Sequence, residues 1–204
     1  MAHHATVTTA GLRPPWSGAY RGRMTATSKR LDRQDWLTTG FTALAEAGPD
    51  TLKAEPLARK LGTTKGSFYW HFKDVPDYHA ALLSAWEDQD QSSAQAQLDR
   101  EATPVSKLRA LAQNIADPKH NLAVEPAIRA WATGHTGAAQ AIARVDAWRL
   151  SLAQSLLADT GIGNPEMARI ICAAAVGMAS MGEIHRDDNR AAIGSLVDLV
   201  LALR

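Results

Sequence analysis

Residues 54–73 read Ala-Glu-Pro-Leu-Ala-Arg-Lys-Leu-Gly-Thr-Thr-Lys-Gly-Ser-Phe-Tyr-Trp-His-Phe-Lys. Leu57, Ala58 and Leu61, preceded by Leu52, recur at helical spacing and predict one short helix. Gly62 then stands where the chain must turn tightly, and glycine accepts left-handed backbone without steric cost. Thr64 offers a hydroxyl to cap a second short helix. On that helix Phe68 and Phe72 lie one turn apart and face inward as core. Two short helices joined by a glycine turn have the geometry of a helix-turn-helix. With both phenylalanines turned in, Lys65, Ser67, Tyr69, Trp70, His71 and Lys73 point outward or sideways. A surface helix rarely shows Tyr-Trp-His together. Exposed rings and hydrogen-bonding groups of this kind suit base edges, thymine methyls and phosphate oxygens. His71 is also compatible with packing between helices.

Working outward, Leu37, Phe41, Leu44 and Ala45 predict a preceding helix that Gly48-Pro49-Asp50 stops. On the other side Asp74 caps the next helix, with Pro76 tolerated in its first turn. Tyr78, Leu82, Ala85 and Trp86 make its apolar stripe. Residues 87–103 turn polar, so this helix is expected to leave the head or end in solvent, and the domain boundary is placed along it.

Five further helices are expected. Thr103-Pro104 opens one bearing Val105, Leu108, Leu111 and Ile115, which Asp117-Pro118 ends. Ile128 and Trp131 mark a short one ended by Gly134. Ile142, Val145, Trp148, Leu152 and Leu156 mark a long one. Asn164-Pro165-Glu166 starts another that runs to about Glu183, and Asn189 opens the last. Residues 167–182 are apolar on most sides, so that helix must be covered on most sides. A second copy of the chain is the easiest cover, and Ala174, Gly177 and Ser180 would let helices approach closely. A central helix within one chain is the alternative.

The composition fits this reading. The 204 residues are 46% hydrophobic and 21% charged, which excludes a disordered chain and is enough for a core without staples. The net charge is only +1, but residues 1–30 form a basic arm with Arg13, Arg21, Arg23, Lys29 and Arg30. Met24 could also serve as a start, with residues 1–23 a leader outside the fold. Cys172 is the only cysteine, so no internal disulfide can form, and a cytoplasmic location is expected. No apolar run is long enough to span a bilayer, and no secretory signal opens the chain.

Catalytic and metal constellations are missing. His120, His135 and His185 share no spacing that puts two ligands on one helical face, and His3 and His4 sit in the arm. Gly161-x-Gly163 follows no strand, and no serine or cysteine stands in a nucleophile elbow. Neither a cofactor nor an enzymatic activity is expected. Trp131, His135, Trp148, Arg149 and Met178 could line a small-molecule pocket, with Arg129 and Met167 nearby, though each serves equally as core.

The run Leu57-Ala58, then Leu61-Gly62-Thr63-Thr64-Lys65-Gly66-Ser67-Phe68-Tyr69-Trp70-His71-Phe72-Lys73, closely resembles the DNA-binding domain of the TetR family of transcriptional regulators. The family's Tyr-x-His-Phe signature stands here as Tyr69-Trp70-His71-Phe72, and the likeness extends from about Arg33 to Trp86. The resemblance implies a homodimer, commonly a repressor, whose recognition helices enter successive major grooves until a small molecule in the C-terminal body releases the DNA. It places Lys65, Gly66 and Ser67 at the start of the recognition helix, near bases or phosphates. Tyr69 matches the family's phosphate-contacting tyrosine. Trp70 and His71 fall where groove contacts are made, and Thr64 where the helix is capped and phosphate is near. Two departures stand out. Val75 and Pro76 occupy the start of the fourth helix, where the family often has a phosphate-binding lysine, so Lys73 would have to substitute. Glu55 would repel phosphate if it faced the duplex.

The expected architecture is therefore all-α. Residues 1–30 are a flexible basic arm, 31–86 a three-helix helix-turn-helix domain, and 87–204 a helical effector-binding and dimerisation domain. The expected partners are double-stranded operator DNA, a small apolar or aromatic effector, and a second copy held through the last two helices. A helical interaction module that has lost specific DNA binding is the rival reading.

Overall fold

Asp32 begins the first helix, and it does so by reciprocal bonding. Its carboxylate accepts from the Asp35 N–H at 2.9 Å while the Asp35 carboxylate accepts from the Asp32 N–H at 2.9 Å. In the computed structural model, which describes residues 31–117, 124–181 and 186–203, this helix is α1, Arg33–Ala47. The basic arm, His3, His4, His120 and His185 lie outside the described residues. Gly48 ends α1 at φ +78°, and a single turn of 3-10 helix, Pro49–Thr51, leads on.

The remaining elements are α2 (Ala54–Lys60), α3 (Lys65–Phe68), α4 (Val75–Leu98), α5 (Pro104–Ala116), α6 (Glu125–Ala132), α7 (Thr136–Ala158), α8 (Pro165–Ala179) and α9 (Arg186–Leu201). All regular structure among the described residues is helical. The starts read from sequence have visible causes. Asp74 accepts from the Asp77 N–H at 2.8 Å at the head of α4. Thr103 and Ser106 form a reciprocal cap on α5, and Asn164 accepts from the Glu166 N–H at 2.9 Å on α8.

Residues 31–204 form one compact unit with two apolar clusters. The first gathers Trp36, Leu44, Leu57, Phe68, Phe72 and Tyr78 beneath the helix-turn-helix, and extends through α4 to Ile128 and Trp131 of α6 and Val145 of α7. The second joins Leu98, Leu111, Leu157, Ile171, Ile193 and Val197 from α4, α5, α7, α8 and α9. Gly40 is indispensable to the first. A Cβ there would lie 1.8 Å from the Tyr78 hydroxyl, which donates to the Trp36 carbonyl at 3.1 Å. Only glycine lets α1 and α4 approach that closely.

Two expectations are corrected and one open alternative is decided. The polar stretch after Trp86 leaves the head and does not end in solvent: α4 is continuous to Leu98, a length of about 36 Å, and buries Asp90, Ala94 and Leu98, the last of them in the second cluster. Polar residues there are compatible with burial because Asp90 is paired across the fold. Asn189 does not open α9, which begins at Arg186; it is buried one turn in and donates its side-chain amide to the Met178 carbonyl at 2.7 Å, tying α9 to the end of α8. α8 stops at Ala179, short of Glu183.

Candidate nucleic-acid interface

Fixing the short α3 is a matter of aromatic packing. Phe68 and Phe72 are fully buried, their ring centroids 5.2 Å apart. Phe68 also packs edge-on against Trp36 at 5.4 Å, and Phe72 edge-on against Tyr78 at 4.9 Å. Edge-to-face pairs at such distances stabilise by about 0.5–1.5 kcal/mol each beyond simple burial. Backbone bonds from Ser67 N–H to the Thr64 carbonyl and from Phe72 N–H to the Phe68 carbonyl carry the turn across the whole motif. Gly62 makes the sharp entry at φ +64°, a left-handed conformation that suits glycine.

Anchored so, α3, which ends at Phe68 short of the expected Phe72, and the turn after it present the opposite chemistry outward. Trp70 is 87% exposed and Tyr69 48% exposed, both large rings that an ordinary surface would cover. Thr64, Lys65, Gly66 and Lys73 are exposed, and Ser67 and His71 half-buried. The ammonium groups of Lys65 and Lys73 make no ion pair among the described residues. Eight sequence-predicted residues thus stand together at one end of the head, with two refinements among them and two at the neighbouring Val75 and Glu55. Thr64 holds the N-cap position in extended backbone, yet its hydroxyl makes no capping bond and stays available. His71 sits 6.3 Å, centroid to centroid, from both Trp36 and Phe72, so it is partly a packing residue. Val75 is packed against the head core and presents no charge. Glu55 is exposed but lies 3.5 Å from Arg59, one turn on, which offsets its negative charge locally.

The residues expected to line one effector pocket are scattered. Trp131 and His135 stack at 4.4 Å and meet His79 of α4, whose ring lies 5.0 Å from Trp131 and 5.5 Å from His135. His79 Nε2–H donates to the Leu52 carbonyl at 2.9 Å, and His135 Nδ1 accepts from the Ala138 N–H at 3.1 Å, capping α7. Burial holds the His79 pKa below the usual 6.5; the Leu52 bond partly opposes this and the neighbouring His135 adds to it. Trp148 is half-buried on α7, and Met178 half-buried against the second cluster.

Arg149 is elsewhere again. It is 2% exposed, at the centre of a charged network that sequence reasoning missed. Its Nε–H donates to Asp90 of α4 at 3.2 Å, and Nη1 and Nη2 donate to Glu125 of α6 at 3.0 and 2.8 Å. Glu125 in turn accepts from Arg129 at 2.7 Å, and Arg129 also bonds Asp146 of α7 at 2.6 and 3.0 Å. Burial opposes the charge on Arg149, but the bonds to Glu125 and Asp90 outweigh it and hold the guanidinium protonated. Burial likewise pushes Glu125 up, and the two arginines more than reverse that. Beside this network a cleft of about 410 Å³ opens between α7 and α8. Of the five expected pocket residues only Arg149 lines it.

Residues 37–74 match the family described as bacterial regulatory proteins, tetR family. Among solved structures, a transcriptional regulator from Rhodococcus sp. superposes with a TM-score of 0.68 at 20% identity, over 83% of this chain and 95% of that one. A TetR-family transcriptional regulator from Rhodococcus sp. gives 0.70 at 21% identity, over 85% and 100%. The regulator FadR from Bacillus subtilis, solved with stearoyl-CoA, gives 0.65 at 16% identity, over 83% and 98%. At these identities the likeness is one of fold. No curated protein matches the chain by sequence.

Proposed function

We propose that this chain, which carries a TetR-family helix-turn-helix head on a TetR-like helical fold, is a ligand-responsive DNA-binding regulator that works as a homodimer and represses by occupying its operator. The observation that carries the reading is the outer face of α3 and the turn after it: an 87% exposed Trp70 and a half-exposed Tyr69 beside the cations Lys65 and Lys73, which make no ion pair among the described residues. Lys65, Gly66, Ser67, Trp70 and His71 meet the major groove, while Tyr69, Thr64 and Lys73 meet phosphate. Lys73 takes the place of a lysine at the start of α4.

Residues 31–86 do the reading, and residues 87–204 dimerise and bind effector. On α8 and α9 and just past their ends, Ile170, Met181, Leu199 and Leu203 are exposed, apolar surface that a second copy would bury. A two-fold dimer sets two heads one helical turn of DNA apart, about 34–36 Å. A small organic molecule held in the body shifts the population toward a conformation with wrongly spaced heads, and the operator is released. The protein performs no turnover and acts in the cytoplasm; no helix among the described residues is long and apolar enough to cross a membrane.

Polarisation titration against the DNA upstream of its own gene, at two salt concentrations, tests the reading. Tight binding that survives the higher salt, with a palindromic footprint, is the expected result. Failure to enrich any duplex from a random pool would overturn it and leave a helical interaction module.

A further inference from the structure

The α7–α8 cleft, at about 410 Å³, falls within the range of about 300–1,000 Å³ that holds small organic ligands. Leu150 of α7 and Cys172 and Val176 of α8 give it an apolar floor. The Cys172 thiol is pushed up to about 11 by burial, with Arg149 pulling it down and Asp146 adding to the rise, so it stays neutral and inert at ordinary pH. The charged wall on α7 is already committed: Arg149 holds Asp90 and Glu125, and both oxygens of Asp146 accept from Arg129. Arg169 of α8 differs. It lines the same cleft, is exposed, and makes no ion pair among the described residues. Its five N–H donors in a planar fork match a carboxylate. A cationic ligand would instead meet three arginines, with the one acid in the wall already bridged.

We propose that this cleft binds an amphipathic monocarboxylate, its acid group on Arg169 and its short apolar chain on Leu150, Cys172 and Val176. This deepens the regulator reading and rests on it for its consequence. Arg149, which forms part of the cleft wall, is also the residue that grips Asp90 of α4. α4 carries Tyr78 and Phe72's packing partners in the head, so an occupant that shifts the wall acts on the helix that positions the head.

Calorimetric titration of the full chain without DNA tests the ligand class, with decanoate as the probe and decanol and decylamine as chain-matched controls. Decanoate should bind about tenfold more tightly than decanol, the worth of one charge-assisted contact at an open site, and decylamine should bind most weakly. Arg169→Ala should reduce decanoate to the level of decanol and leave decanol unchanged, while Arg169→Lys keeps part of the preference. Because Arg169 is exposed, helix content by circular dichroism should be unchanged in both variants. Absence of decanoate binding, tighter binding of the amine, or a carboxylate preference that survives Arg169→Ala would each overturn the proposal. Decanoate binding that depends on Arg169, in a protein that selects no DNA sequence, would uphold the ligand class and overturn the regulatory reading instead.

Discussion

The head and the middle of the body treat their polar groups in opposite ways. In the head an interior centred on the aromatic rings of Trp36, Phe68, Phe72 and Tyr78 supplies rigidity, and the Tyr69 and Trp70 rings are exposed beside Lys65 and Lys73, whose ammonium groups make no ion pair among the described residues. In the body, Arg149 and Asp90 are buried and bound to one another, with Glu125 holding α6 to the same point. A free surface group keeps its full capacity to meet a partner. A buried charge has none to spare, and its removal leaves a desolvated partner behind. The two regions should therefore respond to substitution in opposite ways, one in binding and the other in folding.

Arg149→Ala presses that contrast hardest. It removes the guanidinium that bonds both Asp90 and Glu125, leaving Arg129 on Glu125, and should cost about 3–5 kcal/mol of stability, read as a lowered urea midpoint. A loss below about 1 kcal/mol would mean that water reaches the network. Gly40→Ala comes next and asks whether the aromatic head is as tightly specified as the charged body. Its Cβ would collide with the Tyr78 hydroxyl, so a cost of about 1–3 kcal/mol from overpacking is expected, measured in the same way. An unchanged midpoint would show that α1 and α4 can move apart.

Tyr69→Phe removes one hydroxyl from the free surface. It should weaken DNA binding by about 1 kcal/mol on every sequence alike, while the unfolding midpoint stays within about 0.5 kcal/mol of the parent. Lys65→Ala in the same assay should also relax base preference. Full affinity in the Tyr69 variant would remove the phosphate role. The smallest effect falls where the two regions meet. His79 has a depressed folded pKa, so its neutral form is the one the fold favours. Well above pH 6.5 that preference is fully present; as pH falls through 6.5 the unfolded chain takes up the proton first, and stability declines until the folded pKa is passed. His79→Gln should flatten that part of the curve of unfolding midpoint against pH.

Much of the fold was legible because its signals are local. Asp74, Thr103 and Asn164 cap helices from one turn away, Gly62 turns at the position where its backbone is left-handed, and the spacing of Phe68 and Phe72 told which side of α3 and the turn after it is core. The outer face of α3 followed by subtraction. The pocket did not follow, because Trp131, His135, Trp148, Arg149 and Met178 were grouped by residue type, and type says nothing of which helix faces which. Trp131 and His135 instead join His79 where α4 meets α6 and α7.

Sequence periodicity, caps and turn residues by themselves determined the helical class, the order of helices and the composition of the candidate DNA-facing surface, since these depend on residues within about one turn of each other. Tertiary packing alone decided that Asp90 would meet Arg149 across 59 positions, that Glu125 would reach it across 24, and that Gly40 would have to make room for Tyr78. The charges of Arg149, Asp90 and Glu125 can be buried only where each supplies the other's missing water, and such a place exists only after α4, α6 and α7 have come together.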